Sequence, residues 1–164
     1  MNVRRSGKFF QIAHVVVFTG PLFWPFVLDG DPESELTTAV TEIKEAAEAA
    51  AVQLVFPTDI AIRRERNIHF HQVADMLDPF DECDETMTTG FDLGPDSIET
   101  IEGHVESAQV IVLKGRCGLT DLWSTRYISS TKRIAKMVGM EARNKPVFVI
   151  GADFNDHVNL LLSD

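Results

Sequence analysis

Two glycines and two cations stand together where an apolar run of the sequence ends. Residues 110–113 are apolar without alternation, and Lys114, Gly115, Arg116 and Gly118 follow them. Glycines let backbone N–H groups approach a phosphate, and a neighbouring cation neutralises its charge. Open α/β sheets bind ligands in loops at the carboxyl ends of their strands. The pattern therefore indicates a phosphate or nucleotide site, although cations at strand ends are more often ordinary surface charge.

Two other sets of reactive side chains give weaker signals. His69 and His71 would lie on one face of a strand, and Asp81, Cys83 and Asp84 could join them as metal ligands. No four of these residues have the spacing of a known zinc site, so the sequence predicts no metal centre. Serine, histidine and aspartate are all present, but no GxSxG pattern indicates a hydrolase.

The glycine-rich loop is preceded by the helix and strand that would position it, within residues 91–119. Gly94 and Pro95 mark a helix start, because proline has a preset φ and needs no N–H partner in the first helical turn. Apolar residues then recur at helical spacing and form one stripe for docking on a sheet: Ile98, Ile101, Val105 and Ala108. A turn, a helix and a buried strand in this order indicate one unit of an α/β fold.

Four apolar runs predict strands of a single parallel sheet. They cover residues 13–18, 52–56, 109–113 and 147–150, and helical patterns separate them. A continuous apolar run is typical of a strand that is covered on both faces. The predicted fold is therefore an α/β layer sandwich.

The remaining elements follow from local signals. Asp31 before Pro32 predicts the N-cap of a helix that runs to Ala50. Ser129 or Ser130 can cap another helix, and residues 153–156 would introduce a short last one. Alternating residues over 67–73 predict a β excursion beside a solvated acidic loop.

Composition limits the class of protein. The 164 residues suit one domain, and 45% hydrophobic content is enough for an ordinary core. The net charge of −10 opposes binding to nucleic acid, because such binding depends on Lys and Arg neutralising phosphates. Two cysteines are too few for a disulfide framework, so a reducing compartment is expected.

The first residues carry three positively charged side chains, those of Arg4, Arg5 and Lys8, and have no apolar period. Residues 1–11 are therefore predicted to be a basic arm, and residues 12–164 a single domain. An apolar stretch at 12–28 could be a signal peptide or a short span, but it contains Pro21 and Pro25 and has no small-residue cleavage site. A buried strand that ends in a tight turn is the preferred interpretation, with no membrane span.

Six short stretches of the sequence resemble, in the same order, motifs of phosphoglycerate kinase. They are VVVFTGPLFWPF at 15–26, LVFPTDIAI at 54–62, FDLGP at 91–95, VIVLKGRCGLTD at 110–121, STK at 130–132 and VFVIGAD at 147–153. The family's stretches read GGGMAxTF after a strand, LLPVDxVxA, GLDxGP, WNGPxGVFE, GTK and a strand that leads into GGGDT. The resemblance implies the carboxyl-terminal, nucleotide-binding half of that enzyme, a Rossmann-like three-layer sandwich with a mainly parallel sheet.

The resemblance also carries over a degenerate nucleotide site, in which several motif residues are replaced. Phe18 and Thr19 stand where the family has glycines, so bulky side chains would occupy space that the resemblance assigns to adenine. Lys114 replaces an asparagine, Arg116 a proline, and Phe154 a hydroxyl residue. The candidate nucleotide-binding residues are Gly20, Lys114, Gly115, Arg116, Gly118, Asp121, Gly151 and Asp153.

The expected function is that of a pseudoenzyme. The family's lysine segment GGAK, its substrate-binding half and its final glycine-rich loop have no counterpart in the sequence, so no catalytic residue and no cofactor are expected. The preferred hypothesis is a structural or adaptor subunit whose partners are other proteins, with the basic arm reaching a partner. The alternative is a regulatory domain that binds a nucleotide or a phosphometabolite. An intracellular setting, cytoplasmic or cytoskeletal, is favoured, and a mitochondrial one stays open.

Overall fold

A computed structural model describes residues 10–27, 33–64, 67–75, 92–115, 117–118 and 129–150. Backbone contacts group the chain into two compact units, Met1–Phe56 and Pro57–Asp164. The division into an arm over 1–11 and one domain over 12–164 stays a prediction. No helix within the described ranges is long and apolar enough to cross a membrane.

The first unit is a β-α-β arrangement. Its elements are β1 (Val15–Val17), a 3-10 turn (Gly20–Phe23), α1 (Trp24–Val27), α2 (Glu35–Ala49) and β2 (Gln53–Val55). The strands pair in parallel with Val16 opposite Leu54, and α2 supplies the crossover that parallel strands require. The apolar side of α2 is buried through Val40, Ile43 and Ala47.

The start of α2 differs from the sequence-based expectation. Helix α2 begins at Glu35, and its N-cap is Ser34, whose Oγ accepts a hydrogen bond from the Thr37 N–H at 3.0 Å. The prediction that Asp31 caps this helix is therefore wrong, and Asp31 itself lies outside the described residues. Phe10, within the predicted arm, is buried with 5% of its surface exposed.

The second unit begins with an antiparallel sheet in the order β4-β3-β5. Its strands are β3 (Asp59–Arg64), β4 (Asn67–Gln72) and β5 (Asp92–Leu93). The predicted β excursion is confirmed by β4. The strand β3 was not predicted, because it directly follows the expected strand end at Pro57 and is apolar only over residues 60–62.

The second unit continues with two helices and a parallel strand pair. They are α3 (Pro95–Ser107), β6 (Ile111–Lys114), α4 (Ser130–Glu141) and β7 (Val147–Ile150). The strands pair in parallel with Val112 opposite Phe148, and α3 packs against α4. Ile111 points to the buried side of the pair, whereas Val112, Phe148 and Ile150 are 42%, 57% and 49% exposed on the other face.

All four predicted strands of the parallel sheet are strands in the structure. Within the described residues, their hydrogen bonds form two parallel pairs, β1 with β2 and β6 with β7. The union of the four strands in one sheet stays a prediction. The predicted α/β class is confirmed, and the helix start at Pro95 is confirmed as well.

The cap of α2 can be tested by removing one hydroxyl. Ser34→Ala should lower the free energy of unfolding by about 1 kcal/mol, because the Thr37 N–H loses its acceptor. Urea denaturation followed by circular dichroism measures this change. Thr38→Ala is the matched control, since the Thr38 hydroxyl is exposed and only donates to the Ser34 carbonyl oxygen. Equal losses in the two variants would contradict the assignment of the cap.

Candidate functional site

A buried carboxylate, that of Asp59, faces the amino-terminal end of α3. Asp59 is 1% exposed, and its Oδ1 and Oδ2 accept hydrogen bonds from the N–H groups of Ser97 at 2.8 Å and Asp96 at 3.2 Å. The Ser97 hydroxyl donates to the Asp59 carbonyl oxygen at 2.7 Å, and Ser97 Oγ accepts from the N–H groups of Thr58 and Asp59, both at 3.0 Å. The N-cap residue Gly94 has no side chain, so a distant carboxylate satisfies the first turn instead.

A second buried carboxylate, that of Asp92, repeats this arrangement at α4. Asp92 is 0% exposed, and its Oδ2 accepts from the Ser130 N–H at 2.8 Å. Its Oδ1 accepts from the Leu93 N–H at 3.0 Å and from the Ser130 hydroxyl. Ser129 occupies the N-cap position, as one of the two predicted candidates, but its hydroxyl makes no cap hydrogen bond. Asp92 therefore performs the capping that the sequence assigned to a serine.

The environment of Asp92 changes its acidity. Burial away from water disfavours the ionised carboxylate and raises the pKa of Asp92 above its ordinary value of 3.8. The hydrogen bonds from Ser130 and Leu93 act in the opposite direction but do not cancel the effect of burial on the pKa. Burial thus destabilises the ionised form of Asp92, even though both carboxylate oxygens accept hydrogen bonds.

Two glycines make room for these carboxylates. A Cβ atom at Gly94 would overlap the Asp59 carboxylate. A Cβ atom at Gly118 would overlap the Asp92 carboxylate and lie 3.0 Å from the Asp92 Cα. Both positions therefore require glycine for close approach, independently of any ligand.

The loop after β6 is attached to the same network. The Cys117 N–H donates to Thr131 Oγ1 at 3.2 Å, in the first turn of α4, and Gly118 lies against Asp92. Gly115 has a φ of +81°, which favours glycine, and Lys114 is exposed at the end of β6. An exposed ammonium beside a glycine can attract a phosphate, and phosphate binding at this end of the loop stays a prediction.

The structure brings together some of the predicted site residues. Lys114 is the last residue of β6, and Gly115 and Gly118 follow it in the second unit. Gly20 begins the 3-10 turn of the first unit with a φ of +62°. The other four candidates lie outside the described residues: Arg116, Asp121, Gly151 and Asp153. The sequence analysis assigned no role to Asp59 or to Asp92. The available signal was an aspartate at the edge of an apolar run in both TDIAI and FDLGP.

The first unit has a different feature at the carboxyl ends of its strands. Phe18 follows β1 and Phe56 follows β2, and Phe26 packs with both. The ring centroids are 4.5 Å apart for Phe18 and Phe26, 5.5 Å for Phe18 and Phe56, and 5.3 Å for Phe26 and Phe56. The phenylalanine cluster, defined by these three residues, fills the strand ends of this pair.

A metal site finds no support in the part of the chain that the structure describes. There, no group of three or more His, Cys, Asp or Glu side chains could hold an ion. His69 and His71 both lie on β4, and the other three residues considered with them, Asp81, Cys83 and Asp84, are outside the described ranges.

The order of these elements agrees with comparisons to known proteins. The phosphoglycerate kinase family model matches residues 27–161. The chain belongs to the phosphoglycerate kinase family. Among solved structures, phosphoglycerate kinase from Coxiella burnetii is similar over 96% of this chain with a TM-score of 0.71 and 16% identity. The chain spans 41% of that enzyme's chain. No curated protein matches the chain.

The resemblance drawn from the motifs is thereby confirmed, together with the Rossmann-like α/β fold. The structure also shows what four of the phosphoglycerate kinase motifs share. TDIAI supplies Asp59, FDLGP supplies Asp92 and Gly94, the loop after β6 supplies Gly118, and STK supplies Ser130. Motifs that are far apart in the sequence therefore meet at two capped helix ends.

The close approach at Gly94 gives a prediction with an internal control. Gly94→Ala should destabilise the protein by about 1–3 kcal/mol, because the new methyl group must displace the Asp59 carboxylate from α3. Gly103→Ala should stabilise it by about 0.5–1 kcal/mol, because Gly103 is an exposed helical residue with open space around it. Both changes are measured by denaturant unfolding. A neutral or stabilising effect of Gly94→Ala would show that this position does not need to be glycine.

The raised pKa of Asp92 predicts a pH dependence of stability. The folded state binds the proton of Asp92 more tightly than the unfolded chain does, so the contribution of this group is most favourable below 3.8. It is lost as the pH rises from there through the raised pKa. Asp92→Asn should abolish this part of the pH profile of the unfolding free energy, whereas Asp75→Asn, at an exposed position, should keep it. A profile unchanged in Asp92→Asn would contradict the proposed titration.

Proposed function

We propose that the chain is a non-catalytic phosphoglycerate kinase-like domain that acts as a structural or adaptor subunit of a protein assembly. The phenylalanine cluster is the observation that carries this proposal. Ligands of open α/β sheets bind outside the carboxyl ends of the strands, and three packed rings occupy those ends in β1 and β2. Phe18 is buried and Phe26 and Phe56 are half-buried, so their rings restrict the approach of a nucleotide to the backbone N–H groups at these strand ends.

The replaced motif residues support the loss of catalysis. Phosphoryl transfer depends almost entirely on positioned charges and oriented donors. Phe18 and Thr19 stand in place of glycines, and Phe154 stands in place of a hydroxyl residue. The first two changes fill space that the resemblance assigns to adenine, and the third removes a hydroxyl donor, so a nucleotide would be positioned less well.

What the chain keeps is suited to a scaffold. The capping carboxylates hold α3 and α4 in fixed positions through buried hydrogen bonds. The open face of β6 and β7 exposes Val112, Phe148 and Ile150, and contiguous apolar surface of this kind favours contact with another protein. The net charge of −10 makes a nucleic acid the less suitable partner.

A regulatory domain that binds a nucleotide or a phosphometabolite is the second candidate. One observation favours it, the exposed Lys114 beside Gly115, which is exposed as well and has no side chain to cover its backbone. Lys114 belongs to the second unit, whereas the phenylalanine cluster belongs to the first.

Calorimetry with ADP and ATP separates the two candidates. We expect no binding stronger than a Kd of about 100 µM, which corresponds to about 5.5 kcal/mol. We also expect no turnover in a phosphoglycerate kinase assay. A tighter Kd that weakens at least tenfold in Lys114→Ala, but not in the exposed-lysine control Lys136→Ala, would favour the regulatory domain. Turnover by the wild-type chain would overturn the proposal altogether.

The adaptor role predicts a partner that recognises the basic arm. Replacing Arg4, Arg5 and Lys8 by alanine should reduce co-purification of the partner from the native source, because an acidic partner surface loses three attractive charges. The matched control replaces the same number of exposed cations on α4, Lys132, Arg133 and Lys136. Circular dichroism and the unfolding midpoint should be unchanged in the arm variant. Full recovery of every partner by the arm variant would show that the arm has no such role.

A further inference from the structure

We draw no further inference here: the strongest candidate, the exposed apolar face of the β6–β7 pair formed by Val112, Phe148 and Ile150, carries nothing because no described residue shows what covers it.

Discussion

Each of the two buried carboxylates faces the first turn of a helix, and most of the second unit depends on these contacts. Removing a carboxylate from water costs several kcal/mol, even after the surrounding protein has relaxed. The cost is tolerable because Asp59 and Asp92 accept hydrogen bonds from N–H groups that would otherwise be unsatisfied. Each contact thus solves two problems at once, a buried charge and an open helix end. The glycines beside the carboxylates follow from the same requirement for close approach.

Local patterns in the sequence were sufficient to predict most elements. Helical spacing and the Gly94-Pro95 pair located α3, and apolar runs located β1, β2, β6 and β7. The predictions failed where a distant or neighbouring group competed with the obvious one. Ser34 caps α2 in place of Asp31, and Asp92 caps α4 in place of the serine beside it. Short-range rules cannot identify a cap that comes from another strand.

In the candidate site, too, residue types indicated a possible ligand, but the contacts of each residue depend on its position in the fold. Lys114 and Gly115 were predicted as phosphate contacts from their types, and they do lie at the exposed end of β6. Gly118 was chosen for the same reason, but its close neighbour in the structure is the Asp92 carboxylate. The packing of Phe26 against Phe18 and Phe56 could not be predicted, because it depends on how the turn after β1 folds back.

The separation of the capping residues along the chain has a consequence for the order of folding. Asp59 and Ser97 are 38 residues apart, and so are Asp92 and Ser130. Neither helix can obtain its cap while it is a local fragment, since a loop must first close to bring the carboxylate into position. Helices of 13 and 12 residues are marginal in isolation. The two helices and the strands that cap them are therefore expected to fold together. Helix formation in this unit then depends on contacts between residues that are distant in the sequence.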